Sequence, residues 1–252
     1  VTLPTVVVAA LGLSLLAATA SNVQKPKPKH PKKHALTKRV KLDRAPGSRA
    51  EAYGELGADA CIEELGRRKI GFTREAATRG VKIPVRLTGK VGGVLYRTDF
   101  PDAERGHVPW EIFDCRLVLS LDDFGETLRA HDIVEARIFS AWRPPPKHWP
   151  ESEWGRRHEG ALAVDVRELR KESGEVLNIL AQFNGRVGAP LCGEGAAAPS
   201  PATPEASELH QIACAAADSH VFNSVLTPNY NPPHKNHFHL ELTPDVDWFM
   251  VR

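Results

Sequence analysis

The run Pro232-Pro-His-Lys-Asn-His-Phe-His-Leu-Glu-Leu242 holds three of the chain's eleven histidines, His234, His237 and His239, within six residues. It constrains the fold more than any other stretch. From Phe238 onward the residues alternate, with Phe238, Leu240 and Leu242 set against His237, His239 and Glu241. Side chains two apart on a strand point the same way. A strand here buries the phenylalanine and leucines and presents two imidazoles on its other face. His234 falls in the turn before, after two prolines that restrict the backbone. Two imidazoles on one face with a third nearby are the start of a metal site. The alternative is a polar strand face with solvated histidines.

A second constellation is His158-Glu-Gly-Ala-Leu-Ala-Val-Asp165. On a continuous helix a separation of seven would put His158 and Asp165 about 10 Å apart along the axis, too far to share one ion. A turn followed by a strand over 162–167 brings them together, and Gly160 and Ala161 permit a close backbone path. Ala163 then faces the same way as Asp165, while Leu162, Val164 and Val166 face the core. A carboxylate on a strand poised for burial needs a partner, and a cation supplies one. The alternative is Asp165 on the solvated face of an edge strand, with His158 in an ordinary loop.

The remaining periodicities predict a helix over 49–69 with Ala52, Leu56, Ala60, Cys61 and Leu65 near one face. Short strands follow over 83–87 and 94–96, joined through Gly-Lys-Val-Gly-Gly. Leu117, Leu121, Phe124 and Leu128 predict a core-facing helix over about 115–131, and a strand follows over 133–140. Thr203-Pro204-Glu205 reads as an N-cap, a proline at the first helical position and an acid in the first turn. It opens a helix that packs through Leu209, Ile212, Ala213 and Ala216. These elements imply an α+β fold: a mainly antiparallel sheet carrying the site, with helices packed on its other side.

The four cysteines, Cys61, Cys115, Cys192 and Cys214, show no Cys-x-x-Cys spacing. In an exported protein they suggest two disulfides, with three possible connectivities. Sequence proximity and the helices expected to carry them favour Cys61–Cys115 and Cys192–Cys214. Residues 5–20 are apolar and end in Ala18-Thr19-Ala20, which reads as a signal-peptide core spanning 1–20. An uncleaved membrane anchor is the rival. Residues 21–47 form a basic Pro/Lys-rich linker, kept extended by proline and like charge. It is either a plain spacer or an electrostatic tether to an anionic envelope polymer. Residues 1–48 hold nine Lys or Arg and a single acid. Of 33 basic and 31 acidic residues, that leaves 24 and 30 for the rest, a net of −6. An acidic domain with a basic tail is not a nucleic-acid reader. Residues 48–252 are expected to form one domain, and a monomer.

His-x-x-Ala-x-Ala-x-Asp at 158–165, where the fourth position is Gly or Ala in the pattern, followed later by His-x-His at 237–239, resembles the zinc signature of the group containing lysostaphin-type enzymes, D-Ala-D-Ala peptidases and the hedgehog domain. Within it, the string 225–242, Pro84-Val-Arg-Leu-Thr-Gly89, Ser140-Ala-Trp-Arg143 and Cys61 are similar to the bacterial extensin-like C-terminal domain family. The likeness spans roughly 58–243. The His234-x-x-His-x-His239 run also resembles that of murein endopeptidases. The resemblance implies Zn²⁺ held by His158, Asp165 and His239, with an open fourth position. It places His237 and His234 beside that position as general base or electrostatic stabilisers, and Arg143 near a substrate carbonyl or carboxylate. Three positions depart from the family pattern: Arg156 stands where a small residue is usual, Trp142 where a cysteine is common, and Glu241 where Asp is common. The first bears on support of His158, the second on disulfide layout.

The function implied is an exported (secreted or periplasmic) zinc peptidase that hydrolyses peptidoglycan stems or cross-links. Two other classes compete with it: a non-catalytic envelope-binding module that keeps the metal as structure, and a periplasmic metal carrier. Trp149 and Trp154, in the loop over 144–154, either wall a cleft or cap the core.

Overall fold

The computed structural model describes residues 1–2 and 43–252. The expected signal segment and most of the basic linker lie outside the described residues. In chain order the elements are β1 (Asp43–Arg44), α1 (Arg49–Gly54), α2 (Ala58–Arg67), β2 (Phe72–Arg74), β3 (Pro84–Leu87), β4 (Leu95–Arg97), α3 (Asp102–Arg105), β5 (Ile112–Asp114) and α4 (Cys115–Ala130). There follow β6 (Ile133–Ile138), β7 (Ala163–Lys171), β8 (Val176–Asn178), α5 (Ile179–Gln182), α6 (Pro204–Asp218), β9 (Ser224–Leu226), β10 (Phe238–Glu241) and β11 (Trp248–Val251). The expected α+β class with a mainly antiparallel sheet is the one observed.

The main sheet runs β1-β11-β9-β10-β7-β6-β4, with β8 pairing the far half of β7. Only β11–β9 and β4–β6 are parallel. Strands β7 and β10 lie in its interior. Alternation sends Val164, Val166, Phe238, Leu240 and Leu242 into one hydrophobic core with Leu117, Leu121, Phe124 and Leu128 of α4 and Leu209, Ile212 and Ala216 of α6. Burying such side chains contributes about 1.5–3 kcal/mol each, so the helices hold this face firmly. The opposite face carries Asp165, His237 and His239.

Both long helices begin as their sequences predict. Asp114 caps α4 by accepting from the Arg116 N–H, and the Thr203 hydroxyl caps α6 by accepting from Ala206. The helix expected over 49–69 is instead two. Helix α1 is capped by Ser48 and ends at Glu55, and Gly57 stands extended at the head of α2. Glycine inside a helix costs about 1 kcal/mol relative to alanine, which favours a break there. The turn re-aims the second helix, so Cys61 and Leu65 are buried while Ala52 and Ala60 are exposed.

Strands β3 and β4 also part company. Strand β3 joins β2 and β5 in a separate three-stranded sheet, and β4 joins the main one. Their connection is anchored on α4: the Gly92 N–H donates to Asp122 Oδ1 at 2.9 Å, and the backbone of Gly92 packs directly on Gly125. Any side chain at Gly125 would overlap it. The sheet reaches further toward the N-terminus than the expected boundary at Ser48, because Asp43 and Arg44 pair with Phe249 and Trp248.

The disulfides are Cys61–Cys115, tying α2 to the start of α4, and Cys192–Cys214, tying a loop to α6. Both are the expected pairs. Their sequence separations are 54 and 22 residues. Constraint of the unfolded chain makes the longer loop worth about 4 kcal/mol and the shorter about 3 kcal/mol. Cys61→Ser/Cys115→Ser should therefore lower the thermal midpoint more than Cys192→Ser/Cys214→Ser, as calorimetry of the two double variants would show.

His210 of α6 is buried, lies 3.0 Å through Nε2 from the Phe183 carbonyl, and packs against the Phe183 ring at 4.3 Å. Burial pushes its imidazole below the ordinary histidine range, opposed by the carbonyl, which favours the charged ring. Unfolding returns the ring to a pKa of about 6.5, so the unfolded chain takes up the proton first. The contribution is present above about pH 6.5 and is lost as pH falls through the lower folded value. Urea unfolding across pH should show His210→Gln less stable than the parent at pH 8, with the gap narrowing in acid.

Candidate metal centre

Antiparallel pairing of β7 with β10 sets His239 directly opposite Asp165. Beyond β6 the chain continues beside β7. The Phe139 N–H donates to the Asp165 carbonyl at 2.8 Å, and the Asp165 N–H to the Ser140 carbonyl at 3.1 Å. His158 arrives on a tight loop. Arg157 and Ala161 have φ of 49° and 52°, and the Leu162 N–H closes the turn on the Arg157 carbonyl at 2.7 Å. Gly155 and Gly160 lie backbone on backbone there, and a side chain at Gly160 would overlap the Gly155 carbonyl.

The result is a buried triangle: His239 Nδ1 to Asp165 Oδ1 at 2.9 Å, His158 Nε2 to the same oxygen at 3.1 Å, and His158 Nε2 to His239 Nδ1 at 3.2 Å. The opposite nitrogens of both rings are spoken for. His158 Nδ1 donates to the Ala141 carbonyl at 2.8 Å, and His239 Nε2 to Glu241 Oε2 at 3.1 Å. Neutral rings so held turn two lone pairs and a carboxylate oxygen on one another, which is unfavourable without a cation or proton between them. Ligand bonds of about 2.0–2.2 Å in tetrahedral geometry would separate the three atoms by roughly 3.3–3.6 Å. The observed edges lie a few tenths of an ångström inside that. His158, Asp165 and His239 can therefore hold a metal ion.

The other residues expected here are beside the triangle. His237 Nε2 is 3.4 Å from Asp165 Oδ1. The His234 ring, in the short turn Pro232–His234, is 5.0 Å from that of His237 and 5.8 Å from that of His239. Arg143 pairs with Asp165 Oδ2, and its Nε donates to the Ser140 hydroxyl at 2.9 Å. Its side chain remains 48% exposed, so one end of it reaches solvent. Two partly exposed aromatic rings flank the histidines, Phe139 at 5.9 Å from His237 and Tyr230 at 5.2 Å from His234.

Burial alone would raise the Asp165 carboxyl. Hydrogen-bond contact with His158 and His239, with the electrostatic pull of the His158 and His237 rings, holds it instead far below the usual carboxylate range. Burial likewise disfavours a charged His239, but Asp165 and Glu241 outweigh it and push that ring above the ordinary value. A ring that attracts a proton this strongly is a good metal ligand, and metal entry would release the proton. Burial lowers His237 and, with the neighbouring imidazoles, takes His234 down to about 4.

Period two on β10 already placed Glu241 on the face of His239; its bond to that ring was not read from it. Arg157 had no such signal. Its Nε reaches Glu241 Oε2 at 3.3 Å, and Thr243 donates to Glu241 Oε1 at 2.9 Å. Support of His158 comes from the Ala141 carbonyl, so the unusual Arg156 does not bear on it. Trp154 is exposed and lines surface cavities of about 440 and 340 Å³, and neither is lined by any of the six expected site residues. Trp149 is half-buried, with its indole N–H donating to the Glu153 carbonyl.

Residues 151–251 match the family model described as extensin-like protein C-terminus. The matched stretch contains His158, Asp165, His234, His237 and His239, and Arg143 precedes it. No curated protein and no solved structure matches the chain.

Asp165→Asn and His239→Ala should each abolish stoichiometric metal binding, measured by elemental analysis after dialysis. Glu241→Gln should keep the metal but weaken it roughly 10–100-fold in competition with a chelator, the usual worth of such an outer partner.

Proposed function

We propose that this chain, similar over residues 151–251 to the extensin-like C-terminal family, is an exported zinc-dependent peptidase. Its substrates would be the peptide stems or cross-links of peptidoglycan. The observation that carries the reading is the convergence of His158, Asp165 and His239 with two more imidazoles and an arginine at their side. Two imidazoles and one carboxylate suit zinc and leave a position for water. A bound ion would act as a Lewis acid and lower the pKa of that water to about 7.

The chain's own groups fit the rest of the chemistry. Burial holds His237 and His234 below the ordinary histidine range, so both rings keep a lone pair at neutral pH. Arg143 orients Asp165 with one nitrogen, and its fixed charge suits a developing oxyanion. The two disulfides suit an oxidising compartment outside the cytosol. The basic segment 21–47 would tether the domain to an anionic envelope polymer.

One observation favours the second reading, a non-catalytic envelope-binding module. Asp165, His158, His237 and His239 are all buried, as a purely structural metal would require.

The deciding experiment incubates the purified protein with isolated peptidoglycan, with and without a chelator, and identifies released fragments by mass. Peptide fragments that vanish with chelator and return with zinc are expected. His237→Ala should keep its metal and lose about 10²–10⁴-fold in rate. A zinc-loaded protein that releases nothing from any peptidoglycan would establish the binding module instead.

A further inference from the structure

Of the four imidazoles at this centre, two have no assigned outer partner so far. His234 Nδ1 lies 2.7 Å from Asn231 Oδ1, and His237 Nδ1 lies 2.9 Å from Asn236 Oδ1. An amide oxygen can only accept, so the ring nitrogen facing it carries the proton. A neutral ring then keeps its lone pair on Nε2. For His237 that is the nitrogen facing Asp165 Oδ1 at 3.4 Å.

The local chain explains why Asn231 is available. It stands just before the turn Pro232–His234, where an asparagine would ordinarily cap a backbone N–H. The next two residues are prolines, with no N–H to offer, the His234 N–H donates to the Asn231 carbonyl at 3.0 Å, and the Asn231 side chain makes no cap bond. The side-chain oxygen is thereby left for the imidazole three residues on. Asn236 is half-buried and immediately precedes His237. Neither amide adds the negative charge that Glu241 brings to His239, so they orient their rings without making them stronger bases.

We infer that Asn231 and Asn236 are positioning residues that hold His234 and His237 in the Nδ1–H tautomer, which leaves each ring its lone pair on Nε2, at His237 the nitrogen that faces Asp165. The tautomers follow from geometry. Their catalytic consequence rests on the reading of these histidines as proton carriers. Without the asparagines each ring is free to take the Nε2–H form, which cannot accept a proton at Nε2 and at His237 turns a donor toward Asp165.

Long-range nitrogen-15 NMR of the full chain, at a pH where the rings are neutral, reads the tautomer directly. His234→Gln and His237→Gln assign the two signals. Both rings should show the Nδ1–H pattern. Asn231→Asp and Asn236→Asp should retain it, because a carboxylate accepts the same bond. Asn231→Leu and Asn236→Leu should each move their own ring toward the Nε2–H pattern and leave the signals of His158 and His210 in place, which controls for folding. An Nε2–H pattern at either ring in the unaltered protein overturns the inference for that residue. In hydrolysis of a cross-linked muropeptide, the leucine variants should lose about tenfold or more in kcat with KM and metal content unchanged, and the aspartate variants should recover. A tautomer that moves while kcat does not would overturn the positioning role. Unaltered protein with both Nδ1–H rings and no hydrolysis would defeat the proposed function and leave the tautomer assignment standing.

Discussion

The register of β7 against β10 is the constraint on which the centre depends. Val164 faces Leu240 and Val166 faces Phe238, pairs that both point into the core. Asp165 and His239 are the pair between them and must point the other way. Slipping by one residue would put the carboxylate among the leucines and the valines in the polar site. Hydrophobic packing against α4 and α6 therefore fixes a polar geometry on the opposite face, to a precision that the polar groups could not impose on themselves.

That geometry is expensive to bury without compensation. An isolated carboxylate in such a place would take up a proton. Asp165 stays ionised because imidazoles and a guanidinium surround it. The compensation extends outward: Glu241 receives His239, Thr243 and Arg157, and Ala141 receives His158. Members share partners, so the network behaves as a unit. It also divides the histidines by environment. His239, between two carboxylates, is driven toward cation binding; burial, with the neighbouring imidazoles, drives His234 and His237 toward neutrality.

The rest of the fold brings distant segments to this face and keeps them there. Gly155 and Gly160 allow the loop that delivers His158, and the chain beyond β6 clasps Asp165 through two backbone hydrogen bonds. The disulfides brace the helical layer, away from the chemistry. A rigid scaffold of this kind holds a few convergent side chains without relying on any one of them for the shape of the site.

Much of this was written in local pattern. Period-two alternation assigned the faces of β7 and β10, helical spacing gave α4 and α6, and Thr203 with Pro204 marked where α6 begins. The metal triangle was legible because its members lie on strands whose apolar neighbours announce which side is buried. What pattern did not carry was everything set by a third body. Gly57 splits one expected helix because packing rewards the turn, and Gly92 follows α4 into another sheet because Gly125 leaves room for it. Ala141 and Arg157 act through polar contacts whose partners are chosen by tertiary placement. Sequence alone determined which residues are available and which way each strand faces, since those follow from backbone periodicity. Only the tertiary structure decided which of them meet, since a hydrogen bond reaches about 3 Å and nothing in the order of residues measures that distance.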